Sequence, residues 1–269
     1  MSHDTGSEAP YRFHAGSTPL LISMPHVGTW VPPALASRLS AKARQLPDTD
    51  WHLERLYGFA RELGASLLIA THSRYVIDLN RPPDGASLYP GQSVTGLCPV
   101  DDFDDCPLYL EGQAPDATEV AERRAGLWQP YHDRLQGELG RLRRTHGRAL
   151  LWDAHSIRSV LPRFFEGRLP DLNFGTADGA SCDPALARAL LSKAGESGRF
   201  SAVLNGRFKG GYITRHYGRP AEGIQAVQLE MSQCSYMSEA LPFDYLPELA
   251  ARIQPTLRAL LDTLLAFGR

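Results

Sequence analysis

The chain has 269 residues, of which 43% are hydrophobic and 22% are charged, and its formal net charge is -2. This is ordinary globular composition, and the chain is long enough to bury a sizeable core. The near balance of 28 basic and 30 acidic residues argues against a nucleic-acid surface or an anionic membrane partner. No apolar run approaches the roughly 18–20 residues of a transmembrane helix, and residues 1–10 lack a signal-peptide pattern. We therefore expect a cytoplasmic protein.

The organisation of the chain indicates one domain. The sequence contains no internal repeat, low-complexity tract or linker, so we predict a single domain over residues 1–269, with residues 1–15 as a flexible N-terminal segment. The four cysteines form no CxxC pair and have no regular spacing, which favours free thiols over a disulfide framework or a thiolate zinc site; they are Cys98, Cys106, Cys182 and Cys234.

Apolar runs and helical spacing alternate along the chain. Apolar runs predict strands at residues 19–24, 66–70, 74–79, 149–152 and 224–229. Helical spacing predicts helices over residues 51–63, about 116–146, 183–194 and 245–267. Pro130 is expected to kink or divide the second helical region. The alternation predicts an α/β fold with a mixed, largely parallel sheet and helices on both faces.

The segment 82–107 is rich in Pro, Gly and Asp and shows no periodicity. A loop of this length inside a compact domain is more often functional than inert. We therefore interpret it as a lid or a binding loop.

Polar clusters follow four of the predicted strands. They are Ser23-Met24-Pro25-His26, Asp78-Leu79-Asn80-Arg81, Asp153-Ala154-His155-Ser156 and Leu229-Glu230-Met231-Ser232-Gln233. In open α/β sheets ligands bind beyond the carboxyl ends of the strands, so these residues are expected to converge. Two histidines, several carboxylates and an arginine brought together in this way are the ingredients of a metallohydrolase.

His26 and His155 are the candidate metal ligands, and Asp153 is placed to orient the imidazole of His155. A catalytic zinc needs three protein ligands and one open position. The third ligand is predicted to be Asp50, with Asp48 as the alternative. Capping of the following helix is a competing role for either aspartate. Further histidines that could replace a ligand are His52, His72 and His216, and no HExxH motif is present.

Two further positions and one basic segment carry candidate chemistry. Glu230 leaves the core on an alternating strand, where it either pairs with an arginine or acts as a general base. Arg81 suits bidentate capture of a carboxylate, and a salt bridge to Asp78 is the simpler alternative. The segment 206–215 offers basic side chains beside two glycines, which fits either an anion site or a solvated face; its candidate contacts are Arg207, Lys209, Tyr212 and Arg215.

With these residues identified, the chain resembles the N-formylglutamate amidohydrolase (N-formylglutamate deformylase) family over roughly residues 19–243. The resemblance rests on Ser23-Met24-Pro25-His26-Val27-Gly28, Asp48-Thr49-Asp50-Trp51, Tyr75-Val76-Ile77-Asp78-Leu79-Asn80-Arg81-Pro82, Asp153-Ala154-His155-Ser156, Gly210-Gly211-Tyr212-Ile213-Thr214-Arg215 and Gln228-Leu229-Glu230-Met231-Ser232-Gln233. That family is similar in fold to the zinc carboxypeptidases and the aspartoacylase-type deacylases.

The resemblance implies hydrolysis of N-formyl-L-glutamate to formate and L-glutamate in histidine degradation. It implies one zinc ion, or another divalent metal, bound by His26, Asp50 and His155, with Glu230 as the general base. Asn80, Arg81, Arg207 and Tyr212 would then bind substrate, and Arg215 or Arg207 would stabilise the tetrahedral oxyanion. The relatives space the first histidine and the acid as His-x-x-Glu, whereas Val27-Gly28-Thr29 follows His26 here. The acid must therefore come from further along the chain, which leaves Asp48 and Asp50 as alternatives.

Two other functions fit the same residues. A related zinc deacylase or carboxypeptidase acting on another N-acyl amino acid would share the ligands and differ in pocket size. A metal-free protein that binds an acidic metabolite would use the arginines alone.

Overall fold

The computed structural model describes residues 8–86 and 95–268, and its centre is one seven-stranded sheet. The strands are β1 (Tyr11–His14), β2 (Leu20–Met24), β3 (Ser66–Ala70), β4 (Ala149–Ile157), β5 (Leu172–Gly175), β6 (Ala202–Leu204) and β7 (Ile224–Ser232). Their order is β1-β3-β2-β4-β7-β5-β6. Strand β1 is antiparallel to β3 and β5 is antiparallel to β7, and the other neighbours are parallel. The predicted mixed, largely parallel sheet is confirmed.

Helices cover both faces of this sheet. The α-helices are α1 (Pro33–Ala36), α2 (Leu53–Leu56), α3 (Ala117–Arg123), α4 (Gln129–His146), α5 (Pro184–Gly195), α6 (Tyr212–Tyr217) and α7 (Pro247–Ala266). Side chains of α2, α5 and α7 share one hydrophobic core with Ile22, and those of α4 and α6 share the opposite core with Leu21. Adjacent residues of β2 therefore point into different cores, as a strand buried on both faces requires.

Short helical turns join these elements. The 3-10 turns are Ala43–Gln45, Gly58–Arg61, Ala177–Gly179, Pro220–Glu222 and Gln233–Ser235, and Arg124–Trp128 is a π-helical turn between α3 and α4. Within the described ranges, each helix is too short or too polar to cross a membrane.

Strands β4 and β7 are longer than predicted, and this changes where two of the polar clusters lie. They pair in parallel over nine residues each, and the register places His155 opposite Glu230. The polar clusters thus lie inside the carboxyl-terminal halves of the strands instead of after them. The polar side chains do not end the strands because they find partners in the site described below.

The predicted strand at 74–79 is wrong, because this segment is a buried turn. Its apolar residues are as buried as those of a strand, which explains the misleading pattern. Distant side chains satisfy its backbone: Arg123 donates to the carbonyl of Val76, and His132 lies 2.9 Å from the carbonyl oxygen of Leu79. The sequence pattern of 74–79 contains no sign of these long-range contacts.

The predicted helices at 116–146, 183–194 and 245–267 are confirmed, whereas the continuous helix predicted at 51–63 is wrong. The 51–63 region consists only of α2 and the 3-10 turn Gly58–Arg61, and the left-handed φ of 62° at His52 prevents α2 from beginning earlier. The 116–146 region is divided by the π-helical turn, and Pro130 lies in the first turn of α4. Strand β1 lies within the predicted flexible N-terminal segment, and the single-domain assignment stays a prediction.

The predicted lid lies partly outside the described residues. Residues 82–86 and 95–107 contain no helix or strand, and the rest of the segment falls in 87–94, which the structure does not describe.

Candidate metal and substrate site

The two predicted histidine ligands and Asp50 meet beyond β2 and beside β4. His26 follows β2, His155 lies on β4, and the backbone N–H of Asp50 donates to the carbonyl of His26 over 3.0 Å. All three side chains are buried, and one ligand atom from each lies within 4.8 Å of the others. Two imidazoles and one carboxylate are a donor set that suits zinc and several other divalent metals.

The orientation of both imidazoles fits a metal at this point. Nδ1 of His26 and Nδ1 of His155 face the Asp50 carboxylate at 3.9 and 3.2 Å. Their Nε2 atoms point away, towards Asp78 at 2.7 Å and Asp153 at 3.2 Å respectively. Metal-bound histidines typically have such a carboxylate on the outer nitrogen, which fixes the tautomer.

A buried atom without a hydrogen bond supports the same reading of His155. Asp153 Oδ1 is buried and has no hydrogen-bond partner among the described residues, although it faces Nε2 of His155. A proton on Nε2 would give that oxygen its missing partner. The same tautomer leaves a lone pair on Nδ1, which is the atom directed at Asp50, so the residues present fit a divalent cation.

The electrostatics of the three ligands and the nearby acid also favour a cation. Burial and the Arg74 charge lower the pKa of His26, which keeps its imidazole neutral. Burial opposes protonation of His155, but Asp153 and Asp50 outweigh it and raise its pKa well above the ordinary value. Burial, together with the Asp50 charge, raises the pKa of Glu230 to about 8. Positive charge between the ligands would offset this excess of buried carboxylates.

The two histidines of the triad line a pocket with about 600 Å³ of empty space, its open mouth included. Glu230 lines this pocket with the two histidines, and three arginines also lie on its wall: Arg74, Arg81 and Arg207. Three phenylalanines supply apolar wall, namely Phe103, Phe164 and Phe208. A small molecule with negative charge and a short apolar part suits such a lining.

The predicted substrate residues divide into two groups. Arg81 and Arg207 line the pocket, and their Nε atoms donate to the carbonyls of Thr95 and Phe164. Asn80 also lines it, but both ends of its amide are engaged: Oδ1 accepts from the N–H of Ile213, and Nδ2 donates to Asp153 Oδ2 at 3.3 Å. Asn80 therefore holds Asp153, the outer partner of His155.

Tyr212 and Arg215 belong to α6 and are not among the residues that line the pocket. The N–H of Tyr212 donates to the Asn80 carbonyl at 3.3 Å, and its ring stacks on His216. Arg215 donates from Nε to the carbonyl of Gly210 over 2.7 Å.

The remaining alternatives for a metal ligand have other contacts. Oδ2 of Asp48 accepts hydrogen bonds from the Tyr75 hydroxyl at 2.6 Å and the Phe103 N–H at 2.9 Å. Among the spare histidines, Nε2 of His52 lies 2.7 Å from the Phe243 carbonyl oxygen, and His72 packs its ring on Trp30.

Sequence reasoning missed the roles of two residues that shape the site, Asp78 and Gln228. The sequence predicts Asp78 as a partner for Arg81, yet it lies against His26 and forms an ion pair with Arg74 over 2.6 Å. Gln228 lines the pocket beside Glu230. The available signals were a carboxylate inside a buried apolar run, which needs a partner, and the two-residue spacing of Gln228 and Glu230.

Comparisons with known proteins agree on one family. The family model described as N-formylglutamate amidohydrolase matches residues 18–237. A Pseudomonas aeruginosa protein named N-formylglutamate deformylase is 56% identical over 257 residues, covering 96% of both chains. A Pseudomonas putida protein of the same name is 55% identical over 256 residues, covering 95% of this chain and 96% of its own.

Solved structures show the same fold. The crystal structure of an N-formylglutamate amidohydrolase from Ralstonia eutropha superposes with a TM-score of 0.80 and 26% identity, covering 96% of each chain. A gene product from Agrobacterium tumefaciens has a TM-score of 0.72 at 20% identity, again with 96% of each chain covered, and supports the fold alone.

Proposed function

Because this chain belongs to the N-formylglutamate amidohydrolase family, we propose that it hydrolyses N-formyl-L-glutamate to formate and L-glutamate. The observation that carries the proposal is the buried cluster of His26, Asp50 and His155, whose two histidines line, together with Glu230, a pocket walled by arginines. The two Pseudomonas relatives carry the name of this activity and match nearly the whole chain.

In this proposal His26, His155 and Asp50 would hold one zinc ion, with the Nδ1 atoms of the two histidines facing the Asp50 carboxylate. Three protein ligands are the number that catalytic zinc sites use. A bound zinc ion would supply Lewis acidity, which lowers the pKa of water towards ~7 and polarises a carbonyl oxygen. Asp78 and Asp153 hold the outer nitrogens and keep both imidazoles directed at the site.

Glu230 is the general base and then the general acid. It accepts a proton from the attacking water while the water oxygen bonds to the formyl carbon. It then delivers the proton to the amide nitrogen as the carbon–nitrogen bond breaks, which releases formate and the free amine. A pKa raised to about 8 by burial suits a group that must both take and return a proton near neutral pH.

The glutamate part of the substrate carries two carboxylates, and we assign them to the arginines on the pocket wall. Arg81 and Arg207 present guanidinium groups of the kind that bind carboxylates through two parallel hydrogen bonds. Arg207 is favoured over Arg215 for contact with the substrate, because Arg215 is not part of the lining. Asn80 contributes indirectly, by holding Asp153, the outer partner of His155.

Replacing the general base tests this proposal. Glu230→Gln should lower kcat for formate release by roughly 10²–10⁴-fold, the usual contribution of a positioned acid–base group, while bound zinc stays at the wild-type level. Glu111→Gln is the matched control, since Glu111 is exposed and does not line the pocket. Near-normal turnover by Glu230→Gln would contradict the mechanism.

A further inference from the structure

The side chain next to Glu230 on the same face of β7 is that of Gln228. Residues two apart on a strand point the same way, and both side chains are buried and line the pocket. Gln228 has no role in the reaction as described so far. Its amide nevertheless makes two hydrogen bonds, and one of them is to the general base.

These hydrogen bonds fix which way the Gln228 amide points. The N–H of Gly211 donates to Gln228 Oε1 over 2.7 Å, so the oxygen must face the glycine. The NH2 group is left facing Glu230, where Nε2 lies 3.1 Å from Oε2. Oε2 of Glu230 is thereby held, while no hydrogen bond within the described residues engages its other oxygen, Oε1.

Gly211, the hydrogen-bond donor to Gln228, is itself closely packed. Gly211 precedes α6, and a Cβ added there would lie 2.4 Å from Nδ2 of Asn80. The same Asn80 amide lies 2.9 Å from Nε2 of His155. Gly211 therefore packs tightly against Asn80 on the side of the metal ligand, and its N–H is hydrogen-bonded to Gln228 on the side of the base.

We propose that Gln228 is a positioning residue that holds one oxygen of Glu230 and leaves the other free to exchange the proton with water and the leaving nitrogen. This inference rests on the proposed function, in which Glu230 is the general base. The NH2 group of Gln228 can only donate, so Oε2 of Glu230 is the acceptor in this contact. The bond also keeps Oε2 from turning towards another donor. Loss of this bond should affect the proton transfers more than substrate binding.

Gln228→Met tests the proposal, because methionine has a similar length and cannot form either hydrogen bond. We expect kcat for formate release from N-formyl-L-glutamate to fall roughly 100-fold, with little change in KM or zinc content, since a 1 Å misplacement can have that effect. Gln225→Met is the matched control: Gln225 is on the same strand, accepts from the Asp183 N–H at the same 2.7 Å, and does not line the pocket.

A double-mutant cycle separates positioning from general support of the fold. If Gln228 acts through Glu230, Gln228→Met should have little further effect on kcat in the Glu230→Gln background. An equal fall in both backgrounds, or unchanged kcat in the single variant, would overturn the inference.

Gln228→Glu keeps the test decisive if the methionine variant does not fold. Its carboxylate can accept from Gly211 but cannot donate to Glu230 when ionised, so a large fall in kcat is expected, and wild-type kcat would overturn the inference. If the wild-type protein itself releases no formate, the proposed function fails before this test begins.

Discussion

Asp78 offers a sharp test of how the site is built, because it supports both a metal ligand and a buried arginine. Its side chain is fully buried and contacts Nε2 of His26 at 2.7 Å and Nη2 of Arg74 at 2.6 Å. Burial alone would raise the pKa of Asp78, but contact with His26 and the charges of Arg81 and Arg74 hold it well below its usual range. The carboxylate is therefore ionised at neutral pH.

Asp78→Asn keeps the shape of the side chain and removes its charge. Breaking a buried ion pair by changing one partner costs about 3–5 kcal/mol, because Arg74 is left without its counter-charge. Loss of the outer partner of a metal-bound histidine should also weaken zinc affinity by roughly 10–100-fold. We expect both effects in the same variant.

Urea unfolding of the zinc-free protein and competition with a chromophoric chelator measure these two quantities separately. Asp262→Asn, an exposed change on α7, is the control. Because the pKa of Asp78 is depressed, its contribution to stability is present above an unfolded-state pKa of about 4 and is lost as pH falls through its lower folded-state pKa. The difference between variant and wild type should therefore shrink in acid. An unfolding free energy at pH 7 within about 1 kcal/mol of wild type, with unchanged zinc affinity, would refute the reasoning.

Two further pairs of variants test the ligand set and the packing of the site. Asp50→Asn should abolish zinc binding. Asp48→Asn should retain zinc and lose about 1–3 kcal/mol of stability, because it disturbs two buried hydrogen bonds. Loss of zinc only in the Asp48 variant would reverse the assignment. Gly211→Ala should lower activity sharply, since its Cβ would lie 2.4 Å from a buried amide, while Gly58→Ala, where a Cβ meets nothing within 4 Å, should be close to wild type. Equal formate release by the two alanine variants would contradict the packing argument.

The sequence predicted the parts of the fold that depend on local periodicity. The strand at residues 66–70 is confirmed with the same bounds, and the helices at 183–194 and 245–267 are confirmed to within one or two residues. The α/β class follows from their alternation. These elements can be predicted without knowing any distant contact. The order of apolar residues along the chain indicates whether a segment is buried on both faces, as a strand, or along one stripe, as a helix.

The parts that were wrong or left open depend on long-range contacts. The turn at 74–79 resembles a strand until Arg123 and His132 are known to bond its carbonyls. The sequence predicts Asp50 as the third ligand with Asp48 as the alternative, and the position of Asp50 next to the histidines depends on its N–H bonding the His26 carbonyl, a contact that no spacing rule predicts. The two histidines could be found because each follows or ends an apolar run, whereas the acid lies in an irregular segment before a very short helix.

The most direct test of the central claim is formate release from N-formyl-L-glutamate as zinc is titrated into chelator-treated protein. We predict that turnover rises in proportion to bound zinc and reaches its maximum at one ion per chain. Full turnover in protein free of divalent metal, or no formate release at any zinc loading, would contradict the account.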